Sequence, residues 1–343
     1  FKTIITAKIP RVQCPTHGTQ VVKVPWAEER SRFTLLFERF AIDVLLECSV
    51  SGACDLLGIS WDEASGIKQR AVKRGMSRKE AKVCAHIGVD EKRAGRGQNY
   101  VTVVADTTQE KATVEFVGDG HTHESLDAFY QGLNDVQLKG IISVSMDMWD
   151  SYKNSTISNV PGGAEKIVYD RYHISQCMNN AVNQVRKWEH ATFQSKRDDT
   201  LKGTRQMWLF GKENLPEKHF HGFEALRGKN LKTGRAWAIK EQLRDFWDCS
   251  SVKVAREFFN DWYNWAIRSK LEPIKKTARM MKKRLSNILT YFKYFVTNAA
   301  LEGLNNKIQS IIQKAYGYRN KERFKMDILF HCGGLNLYPG LPQ

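Results

Sequence analysis

Five short apolar runs, crowded between residues 84 and 170 and interleaved with helical texture, restrict this chain more than any other feature. Cys84–Asp90, Tyr100–Asp106, Ala112–Val117, Ile141–Asp147 and Lys166–Asp170 are rich in Val and Ile. Each has the length and the β-branched content of a strand. Short polar turns join the first three, as in a meander. A helix-like stretch from His123 to Leu133 separates the third from the fourth, and another, Trp149–Ser158, separates the fourth from the fifth. A longer helix runs from His173 to about His190. Parallel strands need such crossovers, whereas antiparallel neighbours need only turns. Three antiparallel strands followed by helix, strand, helix, strand and helix is the order of a ribonuclease H-like α/β fold, and residues 84–190 are its expected first part.

The flanks are helical. Residues 1–30 are irregular around Cys14-Pro-Thr-His17-Gly. Phe33, Leu36, Phe37, Phe40, Val44 and Leu45 then recur at helical spacing. Ser51–Ser60 reads as a short helix, a Gly-containing turn and a Ser cap, and Trp61–Arg74 as a basic helix carrying Lys68, Arg70, Lys73 and Arg74. Over residues 31–80 this is the helix-turn-helix pattern, with those four cations aimed at DNA; a small helical bundle has the same spacing. Residues 191–295 are helical, charged and rich in Trp, with Trp208, Trp237, Trp247, Trp262 and Trp265. The segment is too long for a loop in a compact domain and reads as an inserted all-α domain. Within it, residues 268–293 hold nine Lys/Arg against one acid, Glu272. The stripe Lys275, Lys276, Arg279, Lys282, Lys283 and Arg284, with Tyr291 and Phe292, suits a phosphate backbone, and equally suits a solvated helix face. Residues 296–335 return to the core through a helix from about Asn298 to Lys314, striped by Leu301, Leu304, Ile308, Ile311 and Ala315.

Composition narrows the partners. Fifty-three Lys+Arg against 37 Asp+Glu give +16, which favours a polyanion. At 42% hydrophobic the chain is globular rather than disordered. Its seven scattered cysteines form no disulfide framework and fit a reducing, cytoplasmic compartment. No window of ~18 apolar residues spans a membrane, and the start carries no signal-peptide pattern. The opening at Phe1 reads as the interior of a longer reading frame.

Three acids stand where chemistry is expected. Asp90 closes Ile87-Gly-Val-Asp, at or just past the middle of an apolar strand, and Asp147 closes Ile141-Ile-Ser-Val-Ser-Met-Asp, at the tip of another. Glu302 lies near the start of the last helix, just off its apolar stripe. A carboxylate at the end of a buried strand is expensive unless it has a cation or a partner. Three converging carboxylates suit magnesium or manganese, and a pair of such ions suits phosphodiester chemistry. Each acid taken singly reads as well as a cap or an ion-pair partner. Asp170 and His173 open the helix after the fifth strand, either as a cap or as a pair that orients the metal shell or the scissile phosphate. Asp106, before Thr-Thr-Gln, reads as a turn former. Cys14 and His17 supply half of a zinc site, which one pair does not complete.

These blocks resemble one family in order along nearly the whole chain. Ile87-Gly-Val-Asp-Glu91, Tyr100–Asp106, Val144–Tyr152, Ile167–His173 and Asn180–Arg186 are similar to the catalytic strands and following helix of ISL3-type DDE transposases of bacterial insertion sequences. The block Thr297-Asn-Ala-Ala-Leu-Glu302-Gly-Leu-Asn-Asn-Lys307-Ile is the most distinctive, continued by Lys314–Asn320 and Phe330-His-Cys-Gly-Gly. The resemblance implies a ribonuclease H-like core interrupted by an α-helical insertion. Asp90, Asp147 and Glu302 would be its metal triad and Asp170 with His173 an accessory element. It also implies a two-metal reaction that cleaves and transfers DNA strands at terminal inverted repeats, with double-stranded DNA as partner at element ends and target. A homo-oligomer follows because two ends must be brought together, and a nucleoid-associated cytoplasmic location is expected. The family opens with a zinc-binding module of two pairs; only Cys14 and His17 match it here. A non-catalytic, repurposed DNA-binding protein and a structure-selective nuclease are the rival expectations.

Overall fold

The structure, a computed structural model, describes residues 3–28, 31–95, 100–295 and 299–340. The expected helix start at Asn298 and the Thr297 end of the distinctive block lie outside the described residues. Among the described residues seven strands form two sheets. β1 (Arg11–Cys14) and β2 (Gly18–Val21) make an exposed antiparallel hairpin. β3 (His86–Arg93), β4 (Tyr100–Asp106), β5 (Thr113–Asp119), β6 (Ser143–Met146) and β7 (Ile167–Tyr169) make the main sheet. Its order is β5-β4-β3-β6-β7. β3, β4 and β5 run antiparallel, and β3, β6 and β7 run parallel.

The crossovers follow from the sequence. Helices His123–Gln131 and Asp135–Gly140 carry the chain from β5 to β6, and Asp150–Asn159 with Gly163–Lys166 carry it from β6 to β7. The strands differ from expectation mainly at their ends. β3 starts two residues later than expected and continues to Arg93, and β7 keeps only Ile167–Tyr169, because Asp170 already caps the next helix.

Two cores flank the sheet. On one face Ile87, Val89, Val144, Met146, Ile167 and Tyr169 join a core that runs on without a break into Trp208, Trp237, Trp247 and Trp262. The expected insertion is therefore packed on the sheet layer. The bridge is the 24-residue helix Arg171–Gln194. Near its end, buried Glu189 accepts hydrogen bonds from the N–H groups of Lys232 and Thr233 at 2.7 and 2.8 Å, capping helix Lys232–Asp245. On the other face Val101, Val103, Ala105 and Val114 pack under helices Ala299–Lys314 and Lys321–Cys332 through Leu301, Leu304, Ile308, Phe324 and Ile328.

The N-terminal helices are Leu35–Glu47, Val50–Leu57 and Trp61–Ser77. Gly58 ends the second in the left-handed conformation (φ 64°), which glycine adopts without strain. Ser60 and Glu63 form a reciprocal capping box on the third. Ala41, Ile42, Leu45, Ala53, Ile67 and Ala71 close a third core, completed by Phe330 and Leu337 from the far end of the chain.

Candidate active site

Side chains alternate across a strand, so burial on one face fixes what lies on the other. Ile87 and Val89 enter the tryptophan-rich core, which turns Gly88 and Asp90 toward the last helices. Val144 and Met146 do the same for Asp147, and Ile167 and Tyr169 for Asp170. Gly88 pairs with Ser145, and Ser145 with Val168. Two residues further along this register come Asp90, inside β3, and Asp147 and Asp170, which directly follow β6 and β7 at the carboxyl edge of the parallel strands. Ligand sites of open α/β sheets lie at that edge.

Asp147 and Asp170 meet at His173. Its Nε2 lies 2.8 Å from Asp147 Oδ1 and 3.9 Å from Asp170 Oδ2. Oxygen and nitrogen atoms of these three side chains all fall within 4.8 Å of one another. Burial alone would lower the pKa of His173; the hydrogen bond and charge of Asp147, then the charges of Asp170 and Asp90, outweigh it and raise the imidazole above its ordinary value. Asp170 Oδ1 also accepts from the Tyr172 N–H at 2.8 Å, so the residue both caps its helix and faces the site. Next to Asp90, burial raises the Glu91 carboxyl, and the charges of Asp147 and Asp90 add to that against His121.

Asp90 is held separately. Oδ1 accepts from the Glu91 N–H at 2.7 Å, and Oδ2 accepts from Lys92 Nζ at 2.7 Å and from Asn305 Nδ2 at 2.6 Å. Glu302 is exposed in the first turn of helix Ala299–Lys314 and makes no hydrogen bond or ion pair to another described residue. Its neighbours bring the helix to β3: Leu301 packs over Gly88, and Asn305, one turn on, reaches Asp90. The acids that touch a common partner are thus Asp147 and Asp170, not Asp147 and Glu302. Lys92 and Asn305 escaped the sequence reading. Lys92 carries the period-two signal from Asp90, whereas Asn305 had only its three-residue offset from Glu302.

A second group, Cys84, Asp106 and Glu115, also has metal-like proximity. Lysines fill it: Lys82 Nζ lies 2.6 Å from Asp106 and 3.2 Å from Glu115, and Lys79 Nζ lies 2.7 Å from Glu115. Burial and the two acids push the Cys84 thiol up to about 12, so it stays protonated. Asp106 Oδ1 accepts from the Thr108 N–H at 2.9 Å, the geometry of a turn former.

The basic residues divide into buried, paired and exposed groups. Lys68 is 2% exposed and paired with Asp327, not turned to solvent. Arg70 bonds Glu38 through Nε at 2.9 Å, and buried Arg74 holds Glu28 at 2.6 and 2.7 Å and the Leu337 carbonyl. These three cations brace the helical bundle and its contact with helix Lys321–Cys332, because buried Glu38 and Asp327 would otherwise be left without a counter-charge. Lys73 alone of the four is exposed. In helix Glu272–Lys283, Lys275 and Arg279 pair with Glu272 at 2.8 and 3.0 Å, and Lys282 lies 4.3 Å over the Tyr263 ring. Arg284 reaches Asp150 at 3.2 Å. Lys276 and Lys283 are exposed and make no ion pair among the described residues. Phe292 is buried against Phe246 and Tyr291 packs edge-on to Trp247, so both aromatics belong to the core rather than to a stacking face.

Cys14 Sγ and His17 Nδ1 approach to 3.4 Å across the β1–β2 turn. The backbone N–H groups of Thr16 and His17 lower the Cys14 pKa. No third ligand of the His, Cys, Asp or Glu type joins them among the described residues.

Comparison with known proteins gives this geometry its context. A family model described as a transposase matches residues 87–328, and one described as the helix-turn-helix domain of transposase family ISL3 matches residues 22–72. The transposase for insertion sequence element IS1001 of Bordetella parapertussis is 23% identical over 314 residues, 91% of this chain and 76% of the relative. The transposase for insertion sequence element IS1557 of Mycobacterium tuberculosis (strain H37Rv) is 24% identical over 345 residues, 94% of this chain and 77% of the relative. The chain is therefore of the transposase class, with a helix-turn-helix module that makes DNA its partner. It belongs to the ISL3 family of transposases. Among the described residues no helix is long and apolar enough to cross a membrane.

Proposed function

We propose that the protein is a DDE transposase with a ribonuclease H-like core that cleaves and transfers DNA strands at the terminal inverted repeats of an insertion sequence. The observation that carries this reading is the alignment of Asp90, inside β3, with Asp147 and Asp170, which directly follow β6 and β7, and the bond that joins Asp90 to the helix bearing Glu302. Residues 84–190 and 296–335 supply the core, residues 31–80 read the element ends, and residues 191–295 widen the DNA-holding surface.

The donor set fits divalent magnesium or manganese. Carboxylate oxygens dominate it, and Asp147, Asp170 and His173 already converge within 4.8 Å. Asp90, Asp147 and Glu302 would hold the ions. Bound there, such ions would activate a water or a 3′-hydroxyl and stabilise the leaving oxygen. The chain does the rest. His173 fixes the Asp147 carboxylate, and Asp170 orients His173 while anchoring its own helix. Lys73, Lys276 and Lys283 offer exposed ammonium groups to phosphates. Cys14 and His17 would complete a zinc site only with ligands from elsewhere. Two ends held for strand transfer imply a homo-oligomer on DNA.

The test is Asp147→Asn, assayed on repeat-end DNA with magnesium. Strand cleavage should fall by at least ~100-fold while DNA binding in EDTA stays unchanged. Cleavage at the wild-type rate would remove Asp147 from the site and end this reading.

A further inference from the structure

We infer that Asn305 is a positioning residue. It fixes the Asp90 carboxylate and ties to it the helix that carries Glu302. The inference rests on the reading of Asp90 as a metal ligand and adds to it a residue with no metal contact of its own.

Three observations converge. First, Asn305 Nδ2 donates to Asp90 Oδ2 at 2.6 Å, across 215 positions of sequence. Second, the contact has an apolar counterpart one strand period away. A Cβ at Gly88 would lie 3.0 and 3.1 Å from the two Leu301 methyls, so the absent side chain lets the helix settle on β3. Gly88 with Leu301 and Asp90 with Asn305 are two rungs on the same strand face and the same helix face. Glu302 follows Leu301 and precedes Asn305 by three residues, so the two rungs fix where its backbone sits. Third, Asn305 Oδ1 is sealed from solvent and accepts no hydrogen bond. A buried amide oxygen without a donor costs about 1–3 kcal/mol. The side chain carries that cost with a single bond in return among the described residues, the one to Asp90.

Charge separates Asn305 from the other partner. Lys92 also bonds Asp90 Oδ2, but an ammonium competes with a divalent cation for the same carboxylate. The neutral amide does not compete. It occupies one lone pair of Oδ2; the other is held by Lys92, which an ion would displace while the amide stays in place. Among the described residues, Oδ1 carries only the N–H of its own neighbour, Glu91.

The experiment is calorimetric titration of Mn2+ into the full chain without DNA, for wild type, Asn305→Ala, Asn305→Leu and Asp90→Asn. Melting temperature and repeat-end binding in EDTA are measured beside it. Loss of a residue that orients a ligand weakens metal binding by roughly 10–100-fold. Asn305→Ala and Asn305→Leu should both do so, with melting and DNA binding unchanged. If the Ala variant melts early, the Leu variant, which refills the volume, gives the reading. Wild-type Mn2+ affinity in both Asn305 variants, with Asp90→Asn defective, would overturn the positioning role and leave Asp90 as a ligand. Wild-type affinity in Asp90→Asn would overturn both.

Discussion

Replacing Lys68 with Met separates two roles that a basic helix in a DNA-reading module can have. The Lys68 and Asp327 side chains are 3% and 8% exposed, and their charged ends are in direct contact. Lys68 also lies 5.4 Å from the centre of the Phe330 ring. Without the ammonium, Asp327 keeps among the described residues only the Tyr318 hydroxyl, which donates at 2.7 Å. Solvent screening, which leaves surface pairs at about 0–1 kcal/mol, does not reach this depth. Stranding one member of a buried pair costs about 3–5 kcal/mol. At roughly 2–4 °C per kcal/mol for a large domain, the melting temperature should fall by about 10 °C. The double variant Lys68→Met/Asp327→Leu should recover most of the loss, because it removes the stranded charge as well as the pair. Urea and thermal denaturation measure the stability; repeat-end binding at several salt concentrations measures the DNA contact. A loss below about 1 kcal/mol, or a salt slope reduced by about one at unchanged stability, would show that Lys68 faces phosphate and that the burial argument is wrong.

Lys73→Ala should behave in the opposite way. Lys73 is exposed on the same helix, so the variant should keep its melting temperature and lower the salt slope of DNA binding by about one. His331 supplies a pH test. Burial first, then the Lys68 charge, lower its pKa from 6.5 to about 4. A depressed folded pKa means that the unfolded chain binds the proton first. Stability is then full above about 6.5 and drains away as pH falls toward about 4. Melting curves across that window should be flatter for His331→Gln than for wild type, and parallel curves would refute the assignment.

Much of the sheet was legible because strand signals are local. Val and Ile runs of the right length, with helices between the parallel strands, fix both the order and the faces, and the same runs placed Asp90 near the middle of its strand and Asp147 at the tip of its own. Asp170 was legible both as a cap and as a partner of His173, and the structure has it bond the Tyr172 N–H while approaching His173 and Asp147. Contacts at long range were not legible. Nothing near Asn305 or Asp90 announces a bond between them, since an Asn beside an apolar stripe has no periodic signature. Helix Lys321–Cys332 was missed for a related reason. It buries Phe324 and Ile328 under the sheet and Phe330 under the N-terminal bundle, so its apolar residues do not form one stripe. The basic residues failed differently. Lys68 and Lys73 are the same residue type on one helix, and only the position of Asp327, some 260 residues away, turns one inward.

That same helix gives the helix-turn-helix module a fixed place relative to the acids. Phe324 and Ile328 seat it on the sheet, and Lys68–Asp327 and Phe330 seat the bundle on it. The chain beyond it forms a strap over the bundle: Arg39 and Arg78 donate to the carbonyls of Pro339 and Tyr338 at 3.0 and 2.7 Å, and the Tyr338 hydroxyl donates to Asp43 at 2.6 Å. The connection from bundle to β3 is pinned as well, by Lys79 to Glu115 and Lys82 to Asp106. A module tied at three places, one of them a buried ion pair, does not swing on a linker. On the function proposed above, the span from the recognised sequence to the scissile bond is then a property of the fold itself. Loosening the Lys68–Asp327 contact should blur the position of cleavage before it abolishes the chemistry.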